Sequence, residues 1–119
     1  MEFEFKKNNT LENRIEQFEK IQKEYPEKIP IIIEKGNNSK IDKNIKSKYI
    51  LATNLTMAEL IQIIRGKLEI EPEMALFFLV NGKISIPSDG CLGEIYEKYK
   101  DKQDGFLYIT YSEEMVYGF

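Results

Sequence analysis

Apolar residues recur at helical spacing in the first part of the chain. Between Leu11 and Tyr25 they lie three or four residues apart, which places them along one stripe of a helix. Thr10 offers an N-cap hydroxyl and Pro26 interrupts the pattern, so we predict a helix between these two residues. A shorter helical turn is predicted before it, near Glu4–Lys7.

Two β-branched segments follow and predict two strands. Ile29–Lys35 is almost continuously apolar, which is typical of a strand that is buried on both faces. Gly36–Lys40 is rich in turn residues, and Lys48–Ala52 predicts the next strand. The lysines in and after this loop form a cluster of a kind that is usually a solvated face.

The middle of the chain carries the clearest helix signal. Thr56 and Glu59 have the spacing of a capping box, in which the hydroxyl and the carboxylate satisfy each other's backbone N–H groups. The apolar residues that follow share one face of a helix: Met57, Leu60, Ile61, Ile64 and Leu68. Gly66 lies inside this helix and costs up to about 1 kcal/mol relative to alanine.

The last third of the chain alternates between strand and helix signals. Ala75–Val80 predicts a strand, and Asn81-Gly82 is a hairpin turn that leads to a further short strand at Lys83–Ser85. Apolar residues at helical spacing predict a short helix over Leu92–Tyr99. The last predicted strand is Phe106–Tyr111.

This order of elements predicts an α+β fold, the ubiquitin-like β-grasp with two additional N-terminal helices. We predict a single domain over residues 1–119, because a chain of this length forms one core. The N-terminal helices are assigned to residues 1–25, the β-grasp core to 28–111 and a tail to 112–119. In this fold the final strand inserts beside the first, and the tail leaves from it.

Composition excludes most enzyme chemistries. The chain has no histidine and only one cysteine, Cys91, so it lacks both the usual activated nucleophile pairs and the usual zinc ligands. We therefore predict that it is not an enzyme and has neither a metal site nor a cofactor. Its 17 basic and 20 acidic residues nearly balance, so no nucleic-acid partner is expected. With no secretory signal and no long apolar run, the protein is expected to be cytoplasmic.

The C-terminal residues suggest a different role. Gly118 is followed by a single residue, Phe119, as in a precursor that is trimmed to expose a glycyl carboxylate. Such a group is the least hindered acyl donor available for transfer to an amine. The alternative is that Gly118 belongs to an ordinary frayed terminus.

Several spaced motifs, in fixed order, carry a resemblance that extends over the whole chain. They are Tyr25-Pro26, Pro30, Glu34-Lys35, Lys48-Tyr49 to Leu55-Thr56, Ala75–Asn81, Phe106–Ser112 and Val116-Tyr117-Gly118. In these segments the chain resembles the ubiquitin-like autophagy modifiers of the GABARAP and light-chain-3 type.

The resemblance implies a conjugation pathway. A dedicated cysteine protease would remove Phe119, with Arg65 contributing to recognition of the modifier. Ubiquitin-like activating and conjugating enzymes would then carry Gly118 as a thioester and join it to the amine of phosphatidylethanolamine. The two acyl chains of that lipid would hold the domain on autophagosomal or vesicle membranes, since two chains anchor stably where one is marginal. The alternative is an unconjugated ubiquitin-like adaptor in vesicle or receptor trafficking.

The resemblance also implies a binding site for cargo receptors and adaptors that carry short aromatic and aliphatic motifs. Such peptides would pair with the free edge of the strand Lys48–Ala52. The aromatic pocket maps onto Ile21, Pro30, Ile32, Lys48, Ile50 and Phe106. The aliphatic pocket maps onto Tyr49, Leu51, Leu55, Leu60, Ile63 and Ile64. Lysines that would attract acidic residues beside the motif are Lys28, Lys46, Lys48 and Lys67.

The sequence departs from its relatives at several of these positions. Gln17 stands where close relatives have an acidic residue, Leu60 replaces an aromatic residue, and Ala52 replaces a common proline. Lys28 and Lys67 replace arginines, and lysine lacks the bidentate geometry of arginine toward carboxylates. Because of Leu60 and Ala52, the aliphatic pocket is expected to differ in shape from that of its relatives. The residues also have a simpler interpretation, in which the isoleucines belong to the core and the lysines to a solvated face.

Overall fold

Two helices begin the part of the chain that the computed structural model describes, residues 2–114. Helix α1 spans Glu4–Asn8 and helix α2 spans Leu11–Glu24. The Thr10 hydroxyl accepts a hydrogen bond from the Asn13 N–H at 3.1 Å, which confirms the predicted N-cap. Helix α2 ends at Glu24, one residue before its predicted end at Tyr25.

Helix α1 is fixed by a carboxylate from the sheet. Both oxygens of buried Glu34 accept hydrogen bonds at the start of this helix, from the N–H of Glu4 at 2.7 Å and of Phe5 at 2.9 Å. Phe3 is buried immediately before them. A five-residue helix has no stability of its own in water, so α1 depends on these tertiary contacts.

Five strands form one mixed sheet in the order β2-β1-β5-β3-β4. Their bounds are Lys28–Lys35 for β1, Lys48–Ala52 for β2, Phe77–Val80 for β3, Ile84–Ser85 for β4 and Leu107–Ser112 for β5. Strand β5 runs parallel to β1 and antiparallel to β3, so the last strand along the described chain lies at the centre of the sheet. This arrangement confirms the predicted ubiquitin-like β-grasp with two additional N-terminal helices.

The other two helices connect the strands. Helix α3 spans Met57–Leu68 and helix α4 spans Leu92–Tyr99. The predicted capping box is present, because the Thr56 and Glu59 side chains each accept a hydrogen bond from the other residue's backbone N–H. Helix α3 therefore begins where the sequence predicts, and α4 also begins at the predicted Leu92, although no side chain caps it.

Strand β1 is buried on both faces because each face of the sheet carries its own apolar cluster. The larger cluster contains Ile31 and Ile33 of β1 and the apolar stripes of α3 and α4. The smaller cluster is formed by Phe3, Ile21, Ile32, Phe106 and Tyr108, with Phe5, Phe18 and Ile50 packed against it. Alternation along the strand directs consecutive side chains into different clusters.

A buried polar network joins α2 to the approach of β5. The Asp104 carboxylate is 1% exposed and accepts from Arg14 Nε at 2.8 Å and from the Tyr108 hydroxyl at 2.5 Å. Its second oxygen accepts the Phe106 N–H at 2.9 Å. Burial raises the pKa of Tyr108, and the hydrogen bond and charge of Asp104 raise it further.

The β3–β4 hairpin is shorter than predicted. Strand β3 starts at Phe77 instead of Ala75, and β4 contains only two residues. Asn81 and Gly82 have φ of 55° and 72°, as a turn with two left-handed central residues requires, so the predicted hairpin turn is confirmed. At the other boundary, β5 includes Ser112, one residue beyond the predicted end.

Candidate functional site

Strand β2 is an edge of the sheet. It pairs on one side with β1, antiparallel, from Lys28 opposite Ala52 to Ile32 opposite Lys48. Among residues 2–114, no strand pairs with its other side. The outer backbone groups of an edge strand are a template for pairing with an extended peptide.

The six residues assigned to the aromatic pocket come together on the α2 face of this edge. Ile21, Ile32 and Phe106 belong to the smaller apolar cluster, and Ile50 packs against it. Pro30 lies opposite Ile50 in the β1–β2 register. Ile32 and Phe106 are fully buried and form the floor, whereas Ile50 is half-buried and Lys48 is exposed. A shallow cavity lined by Lys46, Ser47, Lys48 and Ile50 opens beside this cluster.

Gln17 contacts the exposed side of the same pocket. Its Oε1 accepts a hydrogen bond from Lys48 Nζ at 2.9 Å, so a neutral amide takes the place of the carboxylate expected in relatives. Its Nε2 donates to the side chains of Asn9 and Asn13, which orients the oxygen toward the lysine. Among residues 2–114, Lys48 forms no ion pair with a carboxylate, so its ammonium group is available to an acidic ligand.

The residues assigned to the aliphatic pocket lie on the opposite face of β2, against α3. Leu60 and Ile64 are fully buried and belong to the main core. Leu51 and Leu55 are half-buried, and Ile63 is 37% exposed. Of this set, a ligand can therefore reach Leu51, Leu55 and Ile63 without displacing the core.

Tyr49 is too deeply buried to form an accessible wall of the aliphatic pocket. Its side chain is 4% exposed, and its hydroxyl has no hydrogen-bond partner within the described part of the chain. Burial raises the pKa of Tyr49, and the nearby Tyr111 phenol raises it further. The ammonium groups of Lys46 and Lys67 lie 5.1 and 5.8 Å from the centre of its ring, within cation–π range.

The four lysines that were predicted to attract acidic residues beside the peptide motif are all exposed: Lys28, Lys46, Lys48 and Lys67. Lys28 lies over the ring of the exposed Tyr25, with 5.7 Å between its Nζ and the ring centre. The others lie beside Tyr49 or in β2 itself. The edge is consequently bordered by positive charge on both faces, which favours an acidic ligand.

Arg65 has a structural contact that sequence reasoning missed. Its guanidinium donates to the carbonyls of Met74, Pro72 and Glu71 at 2.8, 3.0 and 3.1 Å. It thereby ties the segment before β3 to the end of α3. No sequence signal marks such contacts, because every acceptor is a backbone carbonyl.

The predicted conjugation and processing residues at the C-terminus, Gly118 and Phe119, lie outside the described residues. The chain is described as far as Glu114, where Glu113 and Glu114 contact the loop that follows β1. Within residues 2–114, no group of three or more acidic, cysteine or histidine residues could hold a metal ion, and no helix is long and apolar enough to cross a membrane.

Comparison with known proteins agrees with this geometry. Residues 13–118 match the family model described as autophagy protein Atg8, ubiquitin-like. The crystal structure of Trypanosoma brucei ATG8 is similar over 99% of this chain and 100% of that chain, with 35% sequence identity and a TM-score of 0.88. The match includes the N-terminal helices as well as the β-grasp. The chain therefore belongs to the Atg8 family of ubiquitin-like autophagy proteins.

Proposed function

We propose that this chain is a ubiquitin-like modifier that is trimmed after Gly118 and conjugated to phosphatidylethanolamine. On autophagosomal membranes it recruits cargo receptors through short aromatic and aliphatic motifs. The observation that carries the recruitment role is the free edge of β2, which has an apolar site on each face. Family membership and the near-terminal Gly118 support the conjugation role. In this pathway the chain is the substrate of its enzymes and performs no catalysis itself.

The two faces of β2 define what a bound peptide must look like. Lys48 and Ile50 lie on the face of the aromatic site, while Tyr49 and Leu51 lie on the face of the aliphatic site. Successive side chains of an extended peptide alternate between the faces. The two anchors must therefore be an odd number of residues apart, and the lysine border selects acidic residues beside them.

This rule gives a sharp binding experiment. Peptides with a tryptophan and a leucine anchor are titrated into the full chain by calorimetry, with the anchors two, three or four residues apart and the composition held constant. We expect the peptide with a spacing of three to bind at least about tenfold more tightly than the other two peptides, because in each of those only one anchor can reach its site. Equal affinity for all three spacings would contradict pairing along β2.

Variants of the protein test the surface itself. Lys48→Glu and Ile63→Ala are both expected to weaken the peptide with spacing three, since each changes an exposed part of one site. Lys98→Glu, at an exposed position of α4, makes the same charge change away from the edge and serves as the control. Truncation of Tyr49 is less suitable, because loss of a buried aromatic ring costs about 3–5 kcal/mol of folding stability.

Conjugation is tested by the intact mass of the protein recovered from the membrane fraction of starved cells, with fragmentation to read the C-terminus. We expect a form that lacks Phe119 and carries phosphatidylethanolamine on Gly118. Gly118→Ala should abolish membrane association while leaving peptide binding unchanged. If Gly118→Ala associates with membranes as the wild type does, the chain is an unconjugated adaptor instead.

A further inference from the structure

The loop after β1 holds the residues that leave β5. The Lys40 N–H donates to Glu113 Oε2 at 2.7 Å, and Asn38 Nδ2 donates to the Glu114 carbonyl at 3.3 Å. Two residues before Glu113, at the end of β5, the Tyr111 carbonyl accepts the Gly36 N–H at 2.8 Å. We call this set of contacts, between Gly36–Lys40 and Tyr111–Glu114, the tail clamp.

The tail clamp is closely packed at its base. A Cβ at Gly36 would lie 3.3 Å from the Tyr111 carbonyl oxygen and 3.3 Å from Asn38 Oδ1, so glycine allows the loop to approach β5. Ser112 is buried beneath the loop, and its hydroxyl accepts the Glu114 N–H at 3.1 Å. Glu113 Oε1 is also shielded from solvent. The carboxylate is therefore held by a backbone donor at a partly exposed position, with only one of its oxygens shielded from solvent.

The proposed function gives these contacts a consequence. Four residues separate Glu114 from the carbonyl of Gly118, and an extended chain of that length spans at most about 14 Å. Gly118 therefore cannot lie farther than that distance from Glu114, and a clamp that holds Glu114 limits how far Gly118 can be from the end of β5. Each backbone residue ordered in advance removes an entropic cost that an enzyme would otherwise meet on binding.

We propose that Glu113 is a positioning residue: through the tail clamp it presents the tail to the enzymes that act on Gly118. This inference rests on the proposed function, because it requires that Gly118 is processed. The role belongs to the hydrogen bond and not to the negative charge. A glutamine at position 113 can still accept the Lys40 N–H, whereas an alanine cannot.

The test uses the full chain and a purified processing cysteine protease of the ubiquitin-like autophagy system, with release of Phe119 followed by mass spectrometry. Glu113→Ala is expected to raise KM about fivefold with kcat unchanged, because ordering of the tail contributes to binding and not to the chemical step. Glu113→Gln should retain the wild-type KM. Asp42→Ala removes an exposed carboxylate from the same loop outside the clamp and should have no effect.

A variant on the loop side separates positioning from direct contact with the protease. Lys40→Pro removes the donor without changing the tail, and its effect on KM should not add to that of Glu113→Ala in the double variant. Additive effects, an unchanged KM in Glu113→Ala, or equal losses in Glu113→Gln and Glu113→Ala would each overturn the proposal. Failure of the protease to cleave the wild type is a different result, because it would overturn the proposed function itself.

Discussion

Replacement of Asp104 with alanine tests what holds the N-terminal helices on the sheet. Asp104 lies just before β5, while Arg14 lies on α2, ninety residues away in the sequence. The same carboxylate also accepts from the Tyr108 hydroxyl and the Phe106 N–H. Alanine would leave an arginine that is only 8% exposed without its counter-ion.

The expected cost follows from this burial. Removal of one partner from a buried ion pair costs about 3–5 kcal/mol, mostly because the remaining charge stays desolvated. A domain of this size has a free energy of unfolding of about 5–15 kcal/mol, so the variant should be close to the limit of folding. The aromatic site should be weakened as well, since Ile21 lies on the same helix as Arg14 and the Phe106 N–H donates to Asp104.

Urea unfolding at pH 7, monitored by circular dichroism, measures the effect. Asp104→Asn should cost less than Asp104→Ala, because the amide oxygen still accepts a hydrogen bond. Glu97→Ala removes an exposed ion pair with Lys100 and provides the control, since such pairs contribute little. A loss of less than about 1 kcal/mol in Asp104→Ala would refute the reasoning, because it would show that Arg14 finds adequate solvation without its partner.

Three further substitutions are predicted to change stability. Gly66→Ala should raise the melting temperature, because its Cβ meets nothing within 4 Å, while Gly93→Ala should lower it, because its Cβ would lie 3.0 Å from the Thr53 carbonyl oxygen. Burial disfavours the Asp101 carboxylate, but hydrogen bonds from Lys6 and from two backbone amides lower its pKa below the ordinary 3.8. Asp101→Asn should therefore lower the free energy of unfolding by about 1 kcal/mol at pH 7. In urea titrations, the difference in free energy of unfolding between the wild type and this variant should vanish as the pH falls through that lowered pKa. A difference that does not change with pH would refute this prediction.

The sequence predicts those elements whose cause is local. The capping box at Thr56 and Glu59 sets the start of α3 because both partners lie within one turn. The apolar run of β1 predicts burial on both faces because consecutive side chains of a strand point to opposite faces of the sheet. By contrast, the start of β3 at Phe77 depends on its pairing with β5, which no local pattern contains.

The sequence does not show how deeply each residue of the predicted binding site is buried. The mapped residues do gather on the two faces of β2, yet Leu60 and Ile64 occupy the same helical stripe as core residues, and spacing alone does not separate the two roles. The contacts of Arg14, Glu34 and Arg65 were not predicted, because their partners are distant residues or backbone atoms. Long-range polar contacts of this kind become visible only in the folded chain.

The central position of β5 also has a consequence for how the protein is made. Register pairs join Ile31 to Leu107 and Lys35 to Tyr111, so β1 acquires its inner neighbour only after nearly all of the chain has been translated. A nascent or truncated chain that lacks β5 leaves β1 paired only with β2 and β3 only with β4, and it cannot complete either core. The strand that finishes the domain is thus the one that leads into the tail. Under the proposed function, Gly118 would be presented to the processing and conjugating enzymes only by chains whose folding can be completed.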